Sequence, residues 1–138
     1  MVNGYLLDTN IVSELRRRNP DPGVTAWYDA TDAGDLHLSA ISVGEIRRGI
    51  ERLRPRDGTQ AGALDRWLEG LKQHFADRIQ PVDLVVAERW GRLGVRQPIS
   101  VADGLIAATS LAHELTLVTR NVADFEPHGV AVLNPFAG

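Results

Sequence analysis

The chain of 138 residues has the size of one ordinary domain, and we predict a single domain over residues 1–138. It contains no cysteine, which excludes a disulfide framework, a zinc-thiolate site, an iron-sulfur cluster and a cysteine nucleophile. Its 15 basic and 18 acidic residues give a net charge of -3, which argues against a protein held to nucleic acid by bulk charge alone.

The chain shows no sign of a membrane segment. No apolar run approaches the roughly 20 residues that span a bilayer, and the amino terminus lacks the basic start of a secretory signal. We therefore expect a soluble, cytoplasmic protein without membrane contact.

The first half of the chain alternates strand-like and helical patterns. In chain order it predicts a buried strand over 4–7, a short helix over 11–18, a helix carrying residues 24–28, a strand over 36–41, and a helix from 42 that ends before Pro55.

The second half continues the alternation. It predicts a helix carrying residues 64–75, a strand over 79–82, a helix carrying residues 86–93, a helix over 100–113, a strand over 115–118 and, after a short turn, a strand over 130–133. The helix over 100–113 is apolar on nearly every side, which indicates a central, buried position. The whole pattern predicts an α/β fold with a parallel sheet covered on both faces. We expect Trp27, Trp67 and Trp90 to be core or interface anchors.

Acids and an amide follow the predicted strands. In open parallel sheets, ligands bind beyond the carboxyl ends of the strands. Asp8 follows the first strand, Glu45 lies shortly after the second, and Asp103 is in the first turn of the buried helix. Asn121 and Asp124 come just after the fourth strand. These five residues are our candidate site.

Each candidate also has a purely structural explanation. Ser42-x-x-Glu45 and Ser100-x-x-Asp103 match capping boxes, and Asp8 can cap the first helix. As a set, however, converging carboxylates would repel one another unless a cation bound them. Carboxylate oxygens suit Mg²⁺ or Mn²⁺, and such a metal can activate water for hydrolysis of a phosphodiester.

Four segments carry a resemblance to a known family, namely 6–10, 38–45, 102–109 and 118–125. In order and spacing they resemble the PIN-domain ribonucleases, specifically the VapC-type toxins of prokaryotic toxin-antitoxin pairs. The resemblance covers essentially the whole chain. It implies a PIN-like α/β/α sandwich with a central, mostly parallel sheet and helices on both faces. It also implies a metal-dependent endoribonuclease that is usually a homodimer, neutralised by a small VapB-type antitoxin through which it reaches operator DNA.

The resemblance also assigns roles to the candidate residues. Asp8, Glu45 and Asp103 look like the acids that ligate Mg²⁺ or Mn²⁺ and activate the attacking water. The fourth position is open between Asn121, which brings no charge, and Asp124, which would be both a metal ligand and a catalytic acid.

Further residues are candidates for supporting roles. Thr9 and Asn10 resemble residues that orient Asp8 and its water. Arg120, Arg47 and Arg48 are candidates for contacts to RNA phosphates. For the arginines after Glu45, the alternative is a solvated helix face with pairs such as Arg47 and Glu51.

Two other functions are weighed against the nuclease. A phosphate-accepting α/β domain also places Asp and Mg²⁺ at a strand end, but it needs a lysine beside the phosphate, and Lys72 lies in a helix remote from the site. The other alternative is a catalytically weak PIN-like module that acts mainly through its antitoxin and operator complex. Asn121 keeps this second alternative open.

Overall fold

A five-stranded parallel sheet forms the centre of the protein in the computed structural model, which describes residues 4–138. Residues 1–3 of the predicted domain lie outside the described residues. The strands are β1 (Tyr5–Leu7), β2 (Leu36–Ser39), β3 (Ile79–Gln80), β4 (Thr116–Val118) and β5 (Val132–Leu133), in the spatial order β3-β2-β1-β4-β5. Every neighbouring pair is parallel, so the predicted mostly parallel sheet is confirmed and is parallel throughout.

Seven α-helices connect and cover these strands. They are α1 (Thr9–Arg16), α2 (Pro22–Ala30), α3 (Ala40–Leu53), α4 (Gly58–His74), α5 (Leu84–Gly91), α6 (Val101–His113) and α7 (Val122–Phe125). Short 3₁₀ turns occupy residues 33–35, 76–78 and 126–128. Within residues 4–138, no helix combines the length and the apolar character that crossing a bilayer requires.

Neighbouring side chains on a strand pack on opposite faces of the sheet, as the pleat of a strand requires. Leu7 belongs to a core formed with α1 to α4, whereas Leu6 belongs to a second core formed with α6 and α7. Helices therefore cover both faces, and the predicted α/β/α arrangement is confirmed. Trp27 packs against the first core, with its ring 5.2 Å from that of Tyr5.

The boundary between β2 and α3 differs from the prediction. The strand ends at Ser39 rather than residue 41, because the Ser39 hydroxyl accepts a hydrogen bond from the Ile41 N–H (3.0 Å) and caps α3. The expected capping box at Ser42 is therefore wrong: Ser42 lies inside the helix and is buried. By the same mechanism, α1 begins two residues earlier than predicted, since Asp8 is its cap.

One further expectation was wrong. The connection between β4 and β5, predicted as a short turn, contains α7 and a 3₁₀ turn. Trp90 lies at the end of α5 over Gly104 of α6 and is 38% exposed, so of the two roles expected for it, core or interface anchor, the core is excluded. A side chain at position 104 would lie only 3.0 Å from the indole, so the absence of a Cβ there lets the two helices approach.

The entry into β1 provides a test of the sheet geometry. Gly4 has a φ of +108°, and a Cβ at this position would lie 2.7 Å from the Asp35 carbonyl oxygen. We expect Gly4→Ala to lower the free energy of unfolding by about 1–3 kcal/mol, measured by urea denaturation. Gly70→Ala is the control, because this α4 glycine has open space around it and alanine favours a helix. A Gly4→Ala protein as stable as the parent would contradict the described geometry.

Candidate active site

Three neighbouring strands bring the site together at their carboxyl ends. β1 leads directly into Asp8, β2 leads into α3 with Glu45 in its second turn, and β4 leads into Thr119. The Asp8 N–H donates to the Val118 carbonyl (2.9 Å), which continues the pairing of β1 with β4 up to the site. The sheet thus joins residues that are more than 100 positions apart in the chain.

Asp8 is a buried carboxylate held by three donors. Its side chain is 5% exposed and accepts from the Thr9 N–H (2.8 Å) at one oxygen. The other oxygen accepts from the Thr119 hydroxyl (2.8 Å) and the Asn10 amide (3.2 Å). The expected capping role of Asp8 is therefore confirmed, and the same carboxylate is also fixed from the β4 side.

The environment of Asp8 raises its pKa above the ordinary value for aspartate. Burial is the main cause; the hydrogen bonds from Thr119 and Thr9 oppose it, and the charges of Asp103 and Glu45 reinforce it. Glu45 and Asp103 are therefore each close enough to Asp8 to act on it electrostatically.

Glu45 is oriented by a chain of hydroxyls. The Thr9 hydroxyl donates to the Glu45 carboxylate (2.7 Å), and the hydroxyl oxygens of Thr9 and Ser42 are 2.8 Å apart. Because a hydroxyl has one proton and a carboxylate only accepts, Ser42 donates to Thr9. Thr9 thus donates a hydrogen bond to each acid, from its N–H to Asp8 and from its hydroxyl to Glu45.

Asp103 is half-buried in the first turn of α6. Its N–H donates to the Ser100 hydroxyl (3.2 Å), which is one half of the predicted capping box. The reciprocal hydrogen bond of a capping box, in which the Ser100 N–H would donate to the Asp103 carboxylate, is not formed among the described residues. The Asp103 carboxylate is therefore not used as a cap. It also lines a cavity of about 490 Å³ together with Asp124, Gln97 and His128.

The two candidates for the fourth position lie at the rim. Asp124 is exposed in the first turn of α7 and shares the cavity with Asp103. Asn121 is exposed as well, and its N–H donates to the Thr119 hydroxyl (3.0 Å). Neither is among the groups that shift the pKa of Asp8.

The negative charge at the site has no cationic side chain to balance it. Of the ion pairs formed within residues 4–138, none includes Asp8, Glu45 or Asp103. An oxygen-only set of acids is the kind of donor set that a hard divalent cation prefers, so these residues fit Mg²⁺ or Mn²⁺.

The acids do not form a preformed metal cage. In the described part of the chain, no three His, Asp or Glu side chains are gathered closely enough to hold a metal ion. Mutual repulsion favours separation of the carboxylates, and Glu45 is turned toward Thr9. Enclosing a cation therefore requires some of these side chains to change rotamer.

The three candidate arginines have different surroundings. Arg47 is held by Asp65 of α4 (2.7 Å) and by Glu51 (3.2 Å), as the helix-face alternative predicts. Arg48 makes no ion pair with any residue that the structure describes, and it lines a groove with Glu45. Arg120 stacks on Phe136 at 4.5 Å, and its N–H donates to the Asn10 side chain (3.4 Å).

Thr119 and Ser42 were not assigned to the candidate site from the sequence. Thr119 is fully buried, and its hydroxyl donates to Asp8 while accepting from Asn121. Its signal was a polar residue directly after a buried strand, the same signal that identified Asp8. Ser42 was interpreted as a helix cap, and only the packing of α1 on α3 reveals its contact with Thr9.

Comparison with known proteins agrees with this geometry. Residues 5–126 match the family described as the PIN domain. The chain belongs to the PIN-domain family. It is 39% identical over 137 residues to toxin FitB of Neisseria gonorrhoeae, covering 95% of this chain and 97% of that protein. It is 36% identical over 137 residues to VapC ribonuclease Y4jK of Sinorhizobium fredii, covering 95% and 96% respectively.

Solved structures of PIN-domain complexes superpose closely on this chain. The crystal structure of FitAcB from Neisseria gonorrhoeae gives a TM-score of 0.87 at 39% identity, covering 95% of this chain and 97% of that chain. A structure of FitAB bound to an IR36 DNA fragment gives 0.86 at 38% identity, covering 95% and 94%. The resemblance drawn from the four sequence segments is thereby confirmed.

The contact between Thr119 and Asp8 yields a prediction. Thr119→Val removes a buried donor from the carboxylate and leaves the Asn121 N–H without its acceptor. We expect a loss of about 1–3 kcal/mol in the free energy of unfolding in EDTA, and recovery in Thr119→Ser. Thr116→Val is the control, because Thr116 lies in β4 three residues before Thr119 and its hydroxyl makes no hydrogen bond within residues 4–138. Equal stability of the two valine variants would contradict the role of Thr119.

Proposed function

We propose that this PIN domain, taken over residues 1–138, is a metal-dependent endoribonuclease and the toxin of a toxin-antitoxin pair. The observation that carries the proposal is that the charges of Glu45 and Asp103 act on the buried Asp8, and that none of these acids has an ion-pair partner among the described residues. Its support from relatives is the 36% identity to a VapC ribonuclease over nearly the whole chain. The substrate is RNA, and the bond hydrolysed is a phosphodiester.

Asp8, Glu45 and Asp103 differ in how firmly hydrogen bonds hold them, and we assign their roles accordingly. Asp8 is fixed by Thr119 and Asn10 and provides the rigid ligand, whereas the Asp103 carboxylate accepts no hydrogen bond from any residue of 4–138 and is free to turn. Glu45 is held by Thr9 in a position to receive a proton from water. A bound Mg²⁺ or Mn²⁺ would supply acidification of that water and stabilisation of charge on the phosphoryl oxygens.

The fourth position is proposed for Asp124 with Asn121 beside it. Asp124 is a charged oxygen donor on the same cavity as Asp103, and Asn121 contributes only a neutral amide oxygen. Since both are exposed at the rim, this side of the site is held less firmly than Asp8. It is therefore the side at which bound RNA would complete the metal environment.

The proposed protein partner is a small VapB-type antitoxin, through which the complex would reach operator DNA. Support comes from the close superposition on FitAB, which was solved bound to DNA. The net charge of -3 gives the chain itself little attraction for duplex DNA, in keeping with indirect contact.

An alternative function is a catalytically weak module that acts mainly through the antitoxin and operator complex. The absence of a preformed metal cage in residues 4–138 and the neutral Asn121 favour this alternative. The alternative predicts metal-independent partner binding with no RNA cleavage by the free protein.

Cleavage and metal binding can be tested in one variant. We expect the antitoxin-free protein to cleave RNA in Mg²⁺ or Mn²⁺ and to stop in EDTA. Asp103→Asn should reduce cleavage at least about 100-fold and abolish the metal-induced rise in melting temperature. In EDTA its melting temperature should equal or exceed that of the parent, because a charge that repels Asp8 is gone.

Asp32→Asn is the matched control. Asp32 is exposed and its side chain makes no capping hydrogen bond. It lies before the amino end of β2, whereas the site lies at the carboxyl ends of the strands. It should cleave RNA and respond to metal like the parent. Cleavage that survives EDTA, or an Asp103→Asn protein of parental activity, would refute the proposed mechanism.

We further propose that the protein is a homodimer. The exposed large hydrophobic side chains of residues 4–138 all fall within residues 82–101, on and beside α5 and at the start of α6; they are Val82, Leu84, Val85, Trp90, Val95 and Val101. Such a concentration of apolar surface is typical of an interface. A second copy of the chain offers an equal surface to cover it.

Light scattering tests the dimer. The parent should have the mass of two chains, and Val85→Asp should shift it to one, because an unpaired carboxylate would be buried in the interface. Ala63→Asp on the exposed face of α4 adds the same charge elsewhere and should remain dimeric. A monomeric parent, or a dimeric Val85→Asp protein, would exclude this interface.

A further inference from the structure

α3 carries arginines on two faces that differ in their partners. On the face toward α4, Arg47 and Arg54 both bind Asp65 (2.7 and 2.8 Å) and both pair with Glu51. On the other face, Arg48 and Arg52 are exposed and form no ion pair or hydrogen bond with any described residue. The same helix therefore contains a neutralised basic face and a free one.

The free face forms one wall of a groove between α3 and α6, which we call the α3–α6 groove. It has a volume of about 670 Å³ and is lined by Ala40, Ile41, Gly44, Glu45, Arg48, Gly49 and Arg52 of α3 and by Val101, Ala102 and Leu105 of α6. Its volume falls in the range of ligand sites, about 300–1,000 Å³.

The groove borders the candidate active site. Glu45 is one of its lining residues, and Arg48 and Arg52 follow at one and two helical turns along the same stripe, while Ala40 and Ile41 continue the lining on the other side of Glu45. Gly44 beside Glu45 and Gly49 beside Arg48 have open space around them, so the wall is low enough for a backbone to approach closely. The opposite wall offers apolar Leu105 for a base or ribose.

The chemistry of this surface favours a polyanion of repeating charge. Arg48 and Arg52 are about 6 Å apart along the helix axis, comparable to the separation of successive phosphates in an extended strand. Guanidinium groups without internal partners are suited to bind phosphate oxygens in a forked geometry. Glu45 is the one acid among the lining residues, and the proposed metal would offset its charge.

We propose that the α3–α6 groove binds single-stranded RNA on one side of the scissile phosphate, with Arg48 and Arg52 contacting successive phosphates. This inference rests on the proposed nuclease function and adds the path of the substrate to it. Arg48 and Arg52 position the RNA and do not take part in the chemical step. Arg47, tied to Asp65 and Glu51, is outside this path.

The first experiment measures binding separately from cleavage. In the Asp103→Asn background with Mg²⁺, a labelled single-stranded RNA is titrated and followed by fluorescence anisotropy at several salt concentrations. Arg48→Ala/Arg52→Ala should weaken binding at least about 10-fold and reduce the salt slope by about 1.4, because each phosphate contact to a single strand contributes about 0.7. Arg48→Lys/Arg52→Lys should keep the slope, since the charges remain.

Arg66→Ala is the matched control. Arg66 is an exposed arginine of α4 without an ion pair among the described residues, and it lies outside the groove. Each arginine replaced by alanine lowers the net charge by one, so Arg66→Ala matches each of the two groove substitutions in charge. It should nevertheless leave the RNA affinity nearly unchanged. An equal loss per charge in Arg66→Ala would overturn the groove in favour of general electrostatic attraction.

The occupant is tested with a second probe. If the double alanine variant loses affinity for oligoglutamate as strongly as for RNA, the groove is a site for an acidic peptide and the proposal is overturned. Selective loss for RNA supports it. In the Asp103-containing protein, the double alanine variant should raise KM for RNA and leave kcat within about 2-fold, because uniform binding is removed.

The two proposals fail in different ways. RNA cleavage by the parent together with parental RNA affinity in the double alanine variant overturns the groove and leaves the nuclease standing. Arginine-dependent RNA binding without any cleavage by the parent overturns the nuclease and leaves the groove as an RNA-binding surface. Melting temperatures equal to those of the parent establish that the variants are folded.

Discussion

The site depends on one buried carboxylate. Asp8 directly follows the central strand, caps α1 and accepts a hydrogen bond from the Thr119 hydroxyl, which follows the neighbouring strand β4. Burial of this charge is unfavourable, and its hydrogen bonds offset the penalty only in part, since its pKa remains raised. The structure therefore holds a negative charge in a position that a cation would stabilise, and it does so through the backbone of β1 and α1 and not through a flexible loop.

The surrounding hydroxyl groups explain how the other acids are held near it. Thr9 reaches Glu45 while its N–H serves Asp8, so one residue couples the positions of two acids. Asp103 reaches the site from α6, whose first turn is fixed by Ser100. The acids thus come from three separate elements, each positioned by its own cap or hydroxyl, and the geometry of the site follows from the ends of the secondary structure.

The sequence was sufficient to predict the parallel α/β sheet and the position of Asp8 after its central strand, because both depend on local patterns and on a general rule about strand ends. The errors arose where distant contacts decide. Ser39 and not Ser42 caps α3, and the point at which β2 stops pairing decides between these two serines. Thr119 could not be assigned to Asp8 because the two are 111 positions apart and meet only through the pairing of β1 with β4.

The order of the strands has a consequence for synthesis of the protein on the ribosome. β1 lies at the centre of the sheet between β2 and β4, although β4 is made only after more than 110 residues. A nascent chain that has not yet extended past Thr119 lacks the donor that fixes Asp8 and the strand that supports it. The site therefore cannot be assembled before Thr119 has been translated, although Asp8 and Glu45 are made long before it.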